Sequence, residues 1–502
     1  MPRPTPTRLS FRRKVAAALL LVVLAHQLFF GHELGWTLGG FAMAWAAALA
    51  VAAPAVRRRA ALATLGAATL FGLVLVDDPS PLAWALFWTS VSSAALLTRV
   101  DFDDAARWAV RLIAYAVAAP FRLLGDAFRL LRRGTGGGAR AVIGTLLLPV
   151  IGGAVFILLF AGANPLIGEA LSRLEPPSFW ETVVRLIFWG VVLVTVWPSF
   201  RPYVLRLPSV HVAGPALPDL RVATLALSLA TFNAIFAVEN LLDLLFLWSG
   251  APLPGEVTLA DYAHRGAYLL IVTALLAGAF VLVALRPDGP GARSPLVRRL
   301  VVLWIAQNLL LVASSARRTL DYVDAYQMTV LRLAALAWMG LVAVGLVLVC
   351  WRMLRGRSAA WLVNANALAA ALTLAGASVV DLEATAAAYN VRNAREGERI
   401  DLCYLDQLGT SALIPLVELE RRAGGPVLRD RIAYLREGAL ARLRREQGDW
   451  HSWTWRGARR LAAAEAIVGP EKPRAPEPAV RRACGGAPLP PPPQPLTAEA
   501  RP

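Results

Sequence analysis

Four polar side chains interrupt a long apolar segment at residues 222–248. They are Asn233, Glu239, Asn240 and Asp243. If this segment crosses a membrane as a helix, each carboxylate near its centre costs about 2.5–3.5 kcal/mol on insertion scales, so two of them need burial, partners, neutralisation or a position near the interface. Asn233 and Asn240 are seven residues apart and nearly share one helix face, with Asp243 one turn further along. These side chains are the first candidates for a functional site.

Residues that can pair with these carboxylates stand near the ends of neighbouring apolar segments. Tyr262, His264 and Arg265 precede the next segment, and Arg332 opens a later one. Arginine–carboxylate pairing would stabilise such a cluster, and His264 adds a group that titrates near neutral pH. The cluster either only holds the helices together or lines a polar cavity open to the outer face, and the sequence supports both interpretations. The loop expected after the apolar run 300–315 supplies Arg317, Arg318, Asp321 and Tyr322 as further partners, and Asp261, Gln307 and Asn308 are other polar groups of this region.

Other sequence patterns limit the chemistry. The chain has no HExxH, GxSxG or Walker A lysine motif, and its five histidines are too scattered to suggest a metal site. We therefore expect no metal and no cofactor. The adjacent pair Asp77–Asp78 on an early outer loop, together with an outer C-terminal domain, is similar to the architecture of membrane-embedded glycosyltransferases that act on lipid-linked sugars. That analogy of architecture alone supports an enzymatic alternative.

A membrane environment explains the composition. Hydrophobic residues make up 57% of the 502 residues and the mean hydropathy is +0.54, whereas soluble proteins are nearer about 45–50% apolar. The net charge of +17 comes from arginine clusters between apolar runs, a distribution that reflects membrane topology and not a nucleic-acid-binding face. The expected partner is therefore the lipid bilayer and no nucleic acid, and the sequence identifies no protein partner.

Apolar runs long enough for membrane helices recur along the chain. A membrane helix needs roughly 20 apolar residues, and runs of this length exclude a β-barrel. The sequence therefore predicts an all-α fold, a polytopic integral membrane helix bundle of about eleven transmembrane helices. The predicted helices lie near residues 15–30, 34–56, 60–76, 82–98, 141–162, 180–197, 222–248, 266–285, 300–315, 330–351 and 359–380.

The distribution of arginine predicts the orientation of these helices. Alternate loops carry arginine clusters, such as those at residues 57–59 and 352–357, while the loops between them carry few. Because basic loops stay on the cytoplasmic side, the N-terminus is predicted to be cytoplasmic. With an odd number of spans, the residues after about 381 lie on the outer face of a bacterial inner membrane.

The region between the fourth and fifth predicted spans, residues 99–140, has an amphipathic pattern. Apolar side chains fall on one helix face and arginines on the other, which predicts a helix in the cytoplasmic interface that binds anionic lipids. Pro120 is expected to break or bend this helix, and residues 134–138 to form a flexible glycine-rich hinge. The apolar face consists of Leu124, Phe128 and Leu131, and the basic face of Arg122, Arg129 and Arg133.

The C-terminal residues change character, with frequent charges and leucines at helical spacing. Trp450, Trp453 and Trp455 either contact lipid headgroups or fill the core of a helical hairpin. Cys403 and Cys484 can pair if this region faces an oxidising compartment. The chain thus divides into an N-terminal four-helix transmembrane segment, an interfacial region with a hinge, a transmembrane core, a helical C-terminal domain and a disordered Pro-rich tail, at residues 1–98, 99–140, 141–380, 381–466 and 467–502.

Several segments resemble an uncharacterised family of bacterial polytopic membrane proteins. They are FNAIFAVENLLDLLFLW, DYAHRGAYLL, WIAQNLLLVASS and LRLAALAWMG, followed nearer the C-terminus by AYNVRNARE and DLCYLDQLGTSALIPL. The family is domain of unknown function 4173 (DUF4173), which is related to DUF4153. The resemblance covers roughly residues 180–460 and implies a multi-spanning fold without an established activity. It also implies that Glu239 replaces a neutral glutamine and that the family motifs include Asn240, Asp243, Tyr262, His264, Arg265 and Arg332.

The function expected from these features is not enzymatic. The protein would bind or move a small solute or a lipid at the outer polar cluster, with Asp243 as the charged anchor and Arg265 and Arg332 as its partners or as ligand contacts. One alternative is an envelope-modifying enzyme that uses outer carboxylates, and another is a sensor or assembly factor that acts through the C-terminal helices. The chain has no clear internal repeat, which argues against a conventional transporter with inverted symmetry.

Overall fold

The structure is a computed structural model that describes residues 8–133, 179–205, 221–249, 294–394, 400–468, 476 and 481–489. Within these ranges the regular structure is helical, apart from an isolated bridge between Arg482 and Pro488. The all-α prediction is therefore confirmed. The chain divides into two compact units, Met1–Asp103 with Arg107–Pro208 and Asp104–Ala106 with Ser209–Pro502.

Six helices belong wholly or mainly to the first unit, and an aromatic cluster around Trp45 fills its core. Trp45 is completely buried, its Nε1 donates to Oγ of Ser199 at 2.9 Å, and its ring centroid lies 5.5 Å from that of Phe87. A buried indole needs such an acceptor for its N–H group. The helices are α1 (Arg8–Phe29), α2 (Trp36–Ala52), α3 (Arg59–Asp77), α4 (Pro81–Leu97), α5 (Ala105–Arg133) and α6 (Phe179–Phe200).

Helices α2 and α3 approach each other through glycines. A Cβ atom on Gly39 would lie 2.5 Å from the carbonyl oxygen of Gly72, which is closer than any carbon atom can come without displacing the backbone. Residue 39 must therefore be glycine for the two helices to meet at this distance. Close contacts of this kind at small residues are typical of packed membrane helices.

The sequence predicted that Pro120 breaks or bends α5, and the structure shows no break there. The place of the helix in the cytoplasmic interface stays a prediction. The helix is continuous through Pro120, and its part Ala105–Asp126 is long and apolar enough to cross a membrane. Proline is tolerated inside a membrane helix because packed neighbours and local adjustments satisfy the freed backbone group. The side chains of residues 127–133 and the expected hinge at 134–138 lie outside the described residues.

The charged side chains of α5 are turned toward the first unit. Arg111 donates to both carboxylate oxygens of Asp103, each at 2.8 Å. Asp126 is buried and accepts hydrogen bonds from Nε1 of Trp197 at 3.1 Å and from Arg201 at 2.9 Å. Arg111 and Asp126 are thus buried in ion pairs, while the exposed side of the helix is apolar over its described side chains. That side carries Ile113, Val117, Phe121 and Leu124.

The second unit contains the remaining helices. Helices α7 (Val222–Asp243, continued by a π-helical turn at Leu244–Trp248) and α8 (Pro295–Tyr326) pack side by side. Their contacts advance in the same direction, from Asn233 beside Leu300 to Trp248 beside Ser314, so the two helices run parallel. A parallel pair requires a return crossing between them, and the predicted span at 266–285 would supply it but lies outside the described residues.

Short connections then bring four helix termini to one end of the second unit. Helix α9 (Val330–Arg355) follows α8 after a three-residue connection, and α10 (Ala359–Val379) follows α9 after another connection of three residues. Helices joined by so few residues run antiparallel. We call the end at which α7 and α8 terminate, α9 begins and α10 terminates the distal end.

Helix α8 extends beyond the thickness of a bilayer. Its 32 residues span about 48 Å at 1.5 Å per residue, whereas the hydrocarbon core is about 30 Å thick. The apolar run that predicted this span covers residues 300–315 only, so Arg317 and Arg318, expected in a loop, lie in the helix instead. The polar final turns of α8 therefore contribute to the distal end.

The C-terminal domain sits directly on the distal end. Helix α11 (Leu382–Asn393) starts three positions after α10 ends, and α12 (Leu402–Gln407), α13 (Leu413–Arg422), α14 (Pro426–Gly448) and α15 (Trp455–Val468) follow. The leucines whose spacing predicted helices form its core, because each of them is buried. They are Leu402, Leu405, Leu408, Leu413, Leu416 and Leu419.

Part of the segment expected to be disordered has a defined conformation. Cys484 forms a disulfide with Cys403, and Arg482 donates to Asp430 at 2.7 Å. Gly486 has a left-handed backbone (φ +73°), and a Cβ atom there would lie 2.7 Å from the carbonyl oxygen of Arg431. Residues 481–489 are thus attached to α12 and α14, and the expectation of a disordered tail does not apply to them.

The candidate spans identify a multi-pass membrane protein. Among the described residues, 7 helices are long and apolar enough to cross a membrane, and Trp36–Ala52 and Pro81–Leu97 are shorter apolar helices. The predicted spans at 141–162 and 266–285 lie outside the described residues, and the other predicted spans fall on described helices. The count of about eleven stays a prediction.

Candidate functional site

A seam of polar side chains joins α7 to α8. Asn233 donates through Nδ2 to the carbonyl oxygen of Leu300 at 3.0 Å and accepts from Nε2 of Gln307 at 2.8 Å. Two turns further along the same face of α7, Asn240 donates to the carbonyl oxygen of Gln307 at 3.4 Å. Both asparagines are buried, as the seven-residue spacing predicted for one helix face. The seam fixes the register of the two parallel helices.

The seam ends in a buried ion pair between Asp243 and Arg318. Asp243 has no exposed surface and Arg318 is 7% exposed, while Glu239, 3.7 Å from the same guanidinium, keeps 47% of its side chain exposed. A buried carboxylate in a membrane helix is tolerated when it is paired in this way. Arg318 therefore pairs with Asp243, although the sequence analysis had favoured Arg265 and Arg332 as its partners. Arg265 lies outside the described residues.

Arg332 acts elsewhere, in the turn between α8 and α9. Its guanidinium donates to the carbonyl oxygen of Tyr326 at 2.8 Å and also to that of Gln327, and it lies 4.5 Å from the ring centroid of Tyr322. Arg332 does not pair with Asp243 in the described part of the structure, which corrects the first of the two roles predicted for it. The second role, a ligand contact, stays a prediction. Tyr262, His264 and Arg265 lie outside the described residues, and their place in the cluster stays a prediction.

Gln327 occupies a strained backbone conformation in this turn. Its φ of +67° and ψ of 164° make it the single non-glycine residue with positive φ in the described ranges. Such conformations cost about 1–3 kcal/mol and persist only where the surroundings hold them; they concentrate at functional sites. The observed strain therefore directs attention to what holds Gln327 in place.

The C-terminal domain clamps the strained turn. Asn390 is buried and forms two hydrogen bonds with Met328, accepting from its N–H group at 2.6 Å and donating to its carbonyl oxygen at 2.9 Å. The hydroxyl of Tyr404 accepts from the N–H group of Val330 at 2.9 Å. Oε1 of Gln327 accepts from the N–H group of Asp401 at 3.2 Å. The turn and the C-terminal domain are therefore one structural unit.

A pocket of about 220 Å³ lies against this turn. Its walls come from the end of α8 and the turn that follows it, from the end of α11 and from Ile400 just before α12. The pocket therefore forms where the C-terminal domain meets the distal end. The described residues that line it are Val323, Asp324, Gln327, Tyr389, Asn390, Asn393, Ala394 and Ile400. Pockets for drug-sized ligands measure about 300–1,000 Å³, so this one suits a smaller, polar solute.

The polar lining of the pocket can receive hydrogen bonds. The hydroxyl of Tyr389 lies 3.5 Å from Oδ1 of Asp324. Burial and the negative charge of Asp324 raise the pKa of Tyr389 above its ordinary value, so the phenol stays protonated and can donate to Asp324. Asn393 donates to the carbonyl oxygen of Tyr389 at 3.0 Å.

The sequence analysis did not identify this pocket, although it singled out the segments that build it. Tyr389, Asn390 and Asn393 belong to the AYNVRNARE segment, and Asp401 and Tyr404 begin DLCYLDQLG. The available signal was the presence of two asparagines and a tyrosine on one short helix that directly follows a span.

The acidic pair Asp77–Asp78 lies in the first unit, where Asp77 ends α3 and Asp78 follows it. Within the described ranges, no group of three or more His, Cys, Asp or Glu could hold a metal ion.

Comparison with known proteins gives a family and no activity. No curated protein and no solved structure matches the chain. The family model described as "Domain of unknown function (DUF4153)" matches residues 14–419, a range that includes the polar seam, the clamped turn and the pocket. The resemblance to DUF4173 is not confirmed, whereas the related family named with it is found. The chain is an integral membrane protein of unknown function, and it belongs to the DUF4153 family.

Proposed function

We propose that this protein binds a small polar solute in the pocket at the distal end and performs no covalent chemistry on it. The observation that carries the proposal is the pocket itself, which has a carboxylate, a phenol and amide groups around about 220 Å³ of space. Its rim includes Gln327, whose strained backbone lies in a turn that is held by hydrogen bonds from α11 and from the N-terminal end of α12. Strain maintained in this way is typical of a preorganised binding site.

The buried pair Asp243–Arg318 fixes the part of α8 that precedes the pocket. Arg318 and Asp324 are six residues apart on α8, which places them about 9 Å apart along the helix axis. The ion pair and the asparagine seam fix α8 against α7. They therefore also fix the position of Asp324 along the axis of α8 relative to α7. In this account Asn240, Asp243 and Arg332 position the site, and the membership of Tyr262, His264 and Arg265 in the same cluster stays a prediction.

The proposal places the distal end on the outer face of a bacterial inner membrane. Arginine-rich loops at the opposite ends of the spans favour a cytoplasmic position for those ends. The Cys403–Cys484 disulfide independently favours an oxidising compartment for the C-terminal domain, since disulfides are rare where thiols are kept reduced. Both arguments support an external solute as the ligand.

A thermal-shift screen of the purified protein in lipid nanodiscs tests the proposal. The probes are amino acids, small amines, monosaccharides and glycerophospho-headgroups at millimolar concentration. We expect at least one class to raise the unfolding temperature, and Asp324→Asn to weaken its binding at least tenfold, because a hydrogen bond to a charged group contributes about 1.5–3 kcal/mol.

Asp321→Asn is the matched control for this experiment. Asp321 stands one turn earlier on α8, pairs with Arg317 at 3.2 Å and does not line the pocket. The control should bind the same probe with unchanged affinity. A screen in which no probe stabilises the protein, or a hit that both variants bind equally well, would contradict the proposal.

A further inference from the structure

The C-terminal domain is held unusually close to the end of a membrane span. Helix α10 ends at Val379 and α11 begins at Leu382, so only two residues connect the span to the domain. Asp381, the N-cap of α11, accepts from the N–H group of Ala384 at 2.9 Å. Two residues extend at most about 7 Å. The first turn of the domain therefore lies at the depth where α10 leaves the hydrocarbon.

Helix α15 returns to the same place. Arg456 donates to the carbonyl oxygen of Val379, the last residue of α10, at 2.9 Å. Arg460, one turn later, pairs with Asp381 and donates to Oγ1 of Thr410 at 3.2 Å. The start of α15 is thus fixed to the terminus of a candidate span by two arginines. Its height above the membrane is set by that span.

Two large aromatic side chains are exposed at this point. Trp455, the first residue of α15, is 56% exposed, and Trp450, in the preceding turn, is 55% exposed. The neighbouring Val380 is also exposed. Arg459 lies four residues after Trp455, so the two share one face of α15, and Arg459 is exposed as well. Of the two interpretations of the tryptophans, the hairpin core does not apply to Trp450 and Trp455.

We infer that Trp450, Trp455 and Arg459 form a docking surface for the headgroup layer of the membrane that α10 crosses. Indoles favour the interface because their rings are apolar and their N–H groups need a polar partner. Arginine beside them matches lipid phosphate, with which it forms paired hydrogen bonds. The contact from Arg456 to Val379 makes this surface continuous with the span, which is why lipid and not a soluble partner is the occupant.

The docking surface goes beyond the proposed binding function and gives the C-terminal domain a second attachment to the bilayer. The domain forms one wall of the pocket through Tyr389 and Asn393. A domain resting on headgroups through α15 cannot tilt about the two-residue connection after α10. The membrane surface thereby stabilises the arrangement in which α11 faces the end of α8.

Depth-dependent fluorescence quenching in reconstituted vesicles tests this inference. The signal of Trp450 and Trp455 is obtained as the difference between the wild-type protein and the W450F/W455F variant. We expect a headgroup-labelled nitroxide phosphatidylcholine to quench this difference signal at least twofold more than a phosphatidylcholine labelled at acyl carbon 12. Aqueous iodide should quench it weakly.

Trp338 provides the matched control, since it lies about 12 Å along α9 from the start of that helix and is 50% exposed. The difference between the wild type and W338F should show the opposite order, with stronger quenching by the acyl label. Strong quenching of the Trp450 and Trp455 signal by iodide, with no effect of either lipid label, would overturn the inference. Stronger quenching by the acyl label than by the headgroup label would also overturn it.

Discussion

Asp243→Asn is expected to lower the free energy of unfolding by about 3–5 kcal/mol, the usual cost of removing one member of a buried ion pair. Arg318 is 7% exposed, and the variant removes the buried carboxylate that lies against its positive charge. Arg318→Gln should also be destabilising, because it removes the same ion pair from the other side. Unfolding by titration with a denaturing detergent, followed by circular dichroism, measures both variants.

The double variant Asp243→Asn with Arg318→Gln separates loss of the pair from loss of packing. Because neither side chain is then charged, it should be more stable than Asp243→Asn alone. Glu239→Gln is the matched control on the same helix. Since Glu239 is about half exposed and 3.7 Å from Arg318, its removal should cost no more than about 1 kcal/mol. A double variant as unstable as the sum of the two single variants would contradict the assignment of Arg318 as the partner of Asp243.

Cys484→Ser is expected to destabilise the C-terminal domain by about 4 kcal/mol in the chain-entropy treatment of cross-links. The bond closes a loop with a sequence separation of 81 residues, and long loops gain the most from closure. Residues 481–489 should then detach from α12 and α14, because Arg482 and Gly486 reach their partners only while Cys484 is tethered. Limited proteolysis should cut the variant at this segment at least ten times faster than the wild type.

Cys350→Ala is the control for the disulfide prediction. Cys350 is a free cysteine on α9, and its replacement should leave the cleavage rate unchanged. Alkylation provides a second readout on the wild-type protein. In denaturant without reductant only Cys350 should react, and all three cysteines should react after reduction. Labelling of three cysteines before reduction would show that Cys403 and Cys484 are not bonded.

The helices follow from the sequence because lipid leaves few alternatives. Apolar runs of sufficient length must form helices whose backbone groups are satisfied internally, and those runs coincide with described helices wherever the structure describes them. The leucine spacing after residue 400 likewise predicted the core of the C-terminal domain, since a small helical domain must bury one face of each helix. Composition and periodicity are enough for features of this kind.

The partners of the polar residues could not be obtained in the same way. Arg318 lies beyond the apolar run, so hydropathy placed it in a loop, whereas packing against the C-terminal domain extends α8 by several turns. Arg332 carries the same charge at a neighbouring position, and the sequence alone could not distinguish the two. The pocket depends on Asp324 and Asn393, which are distant in sequence and are joined only by the three-dimensional arrangement of α8 and α11.

Helix α5 shows a different limitation of pattern analysis. An amphipathic helix in water hides its apolar face, but in lipid the apolar face is outside and the charged face is buried. The separation of apolar and charged residues onto opposite helix faces is the same in both cases. Arg111 and Asp126 are buried against acceptors and donors of the first unit, and no local pattern reveals which face has partners. The sequence pattern alone therefore does not distinguish an interfacial helix from one that crosses the membrane.

The most direct test of this account is to determine on which side of the membrane the distal end lies. A phosphatase that is active only in an oxidising compartment and a reporter that is active only in the cytoplasm are fused in parallel after Pro502. Matching fusions in the connection between α9 and α10, after Arg357, report on the opposite end. The account predicts phosphatase activity after Pro502 and cytoplasmic reporter activity after Arg357. The reverse result would place the pocket and the disulfide in the cytoplasm and would contradict binding of an external solute.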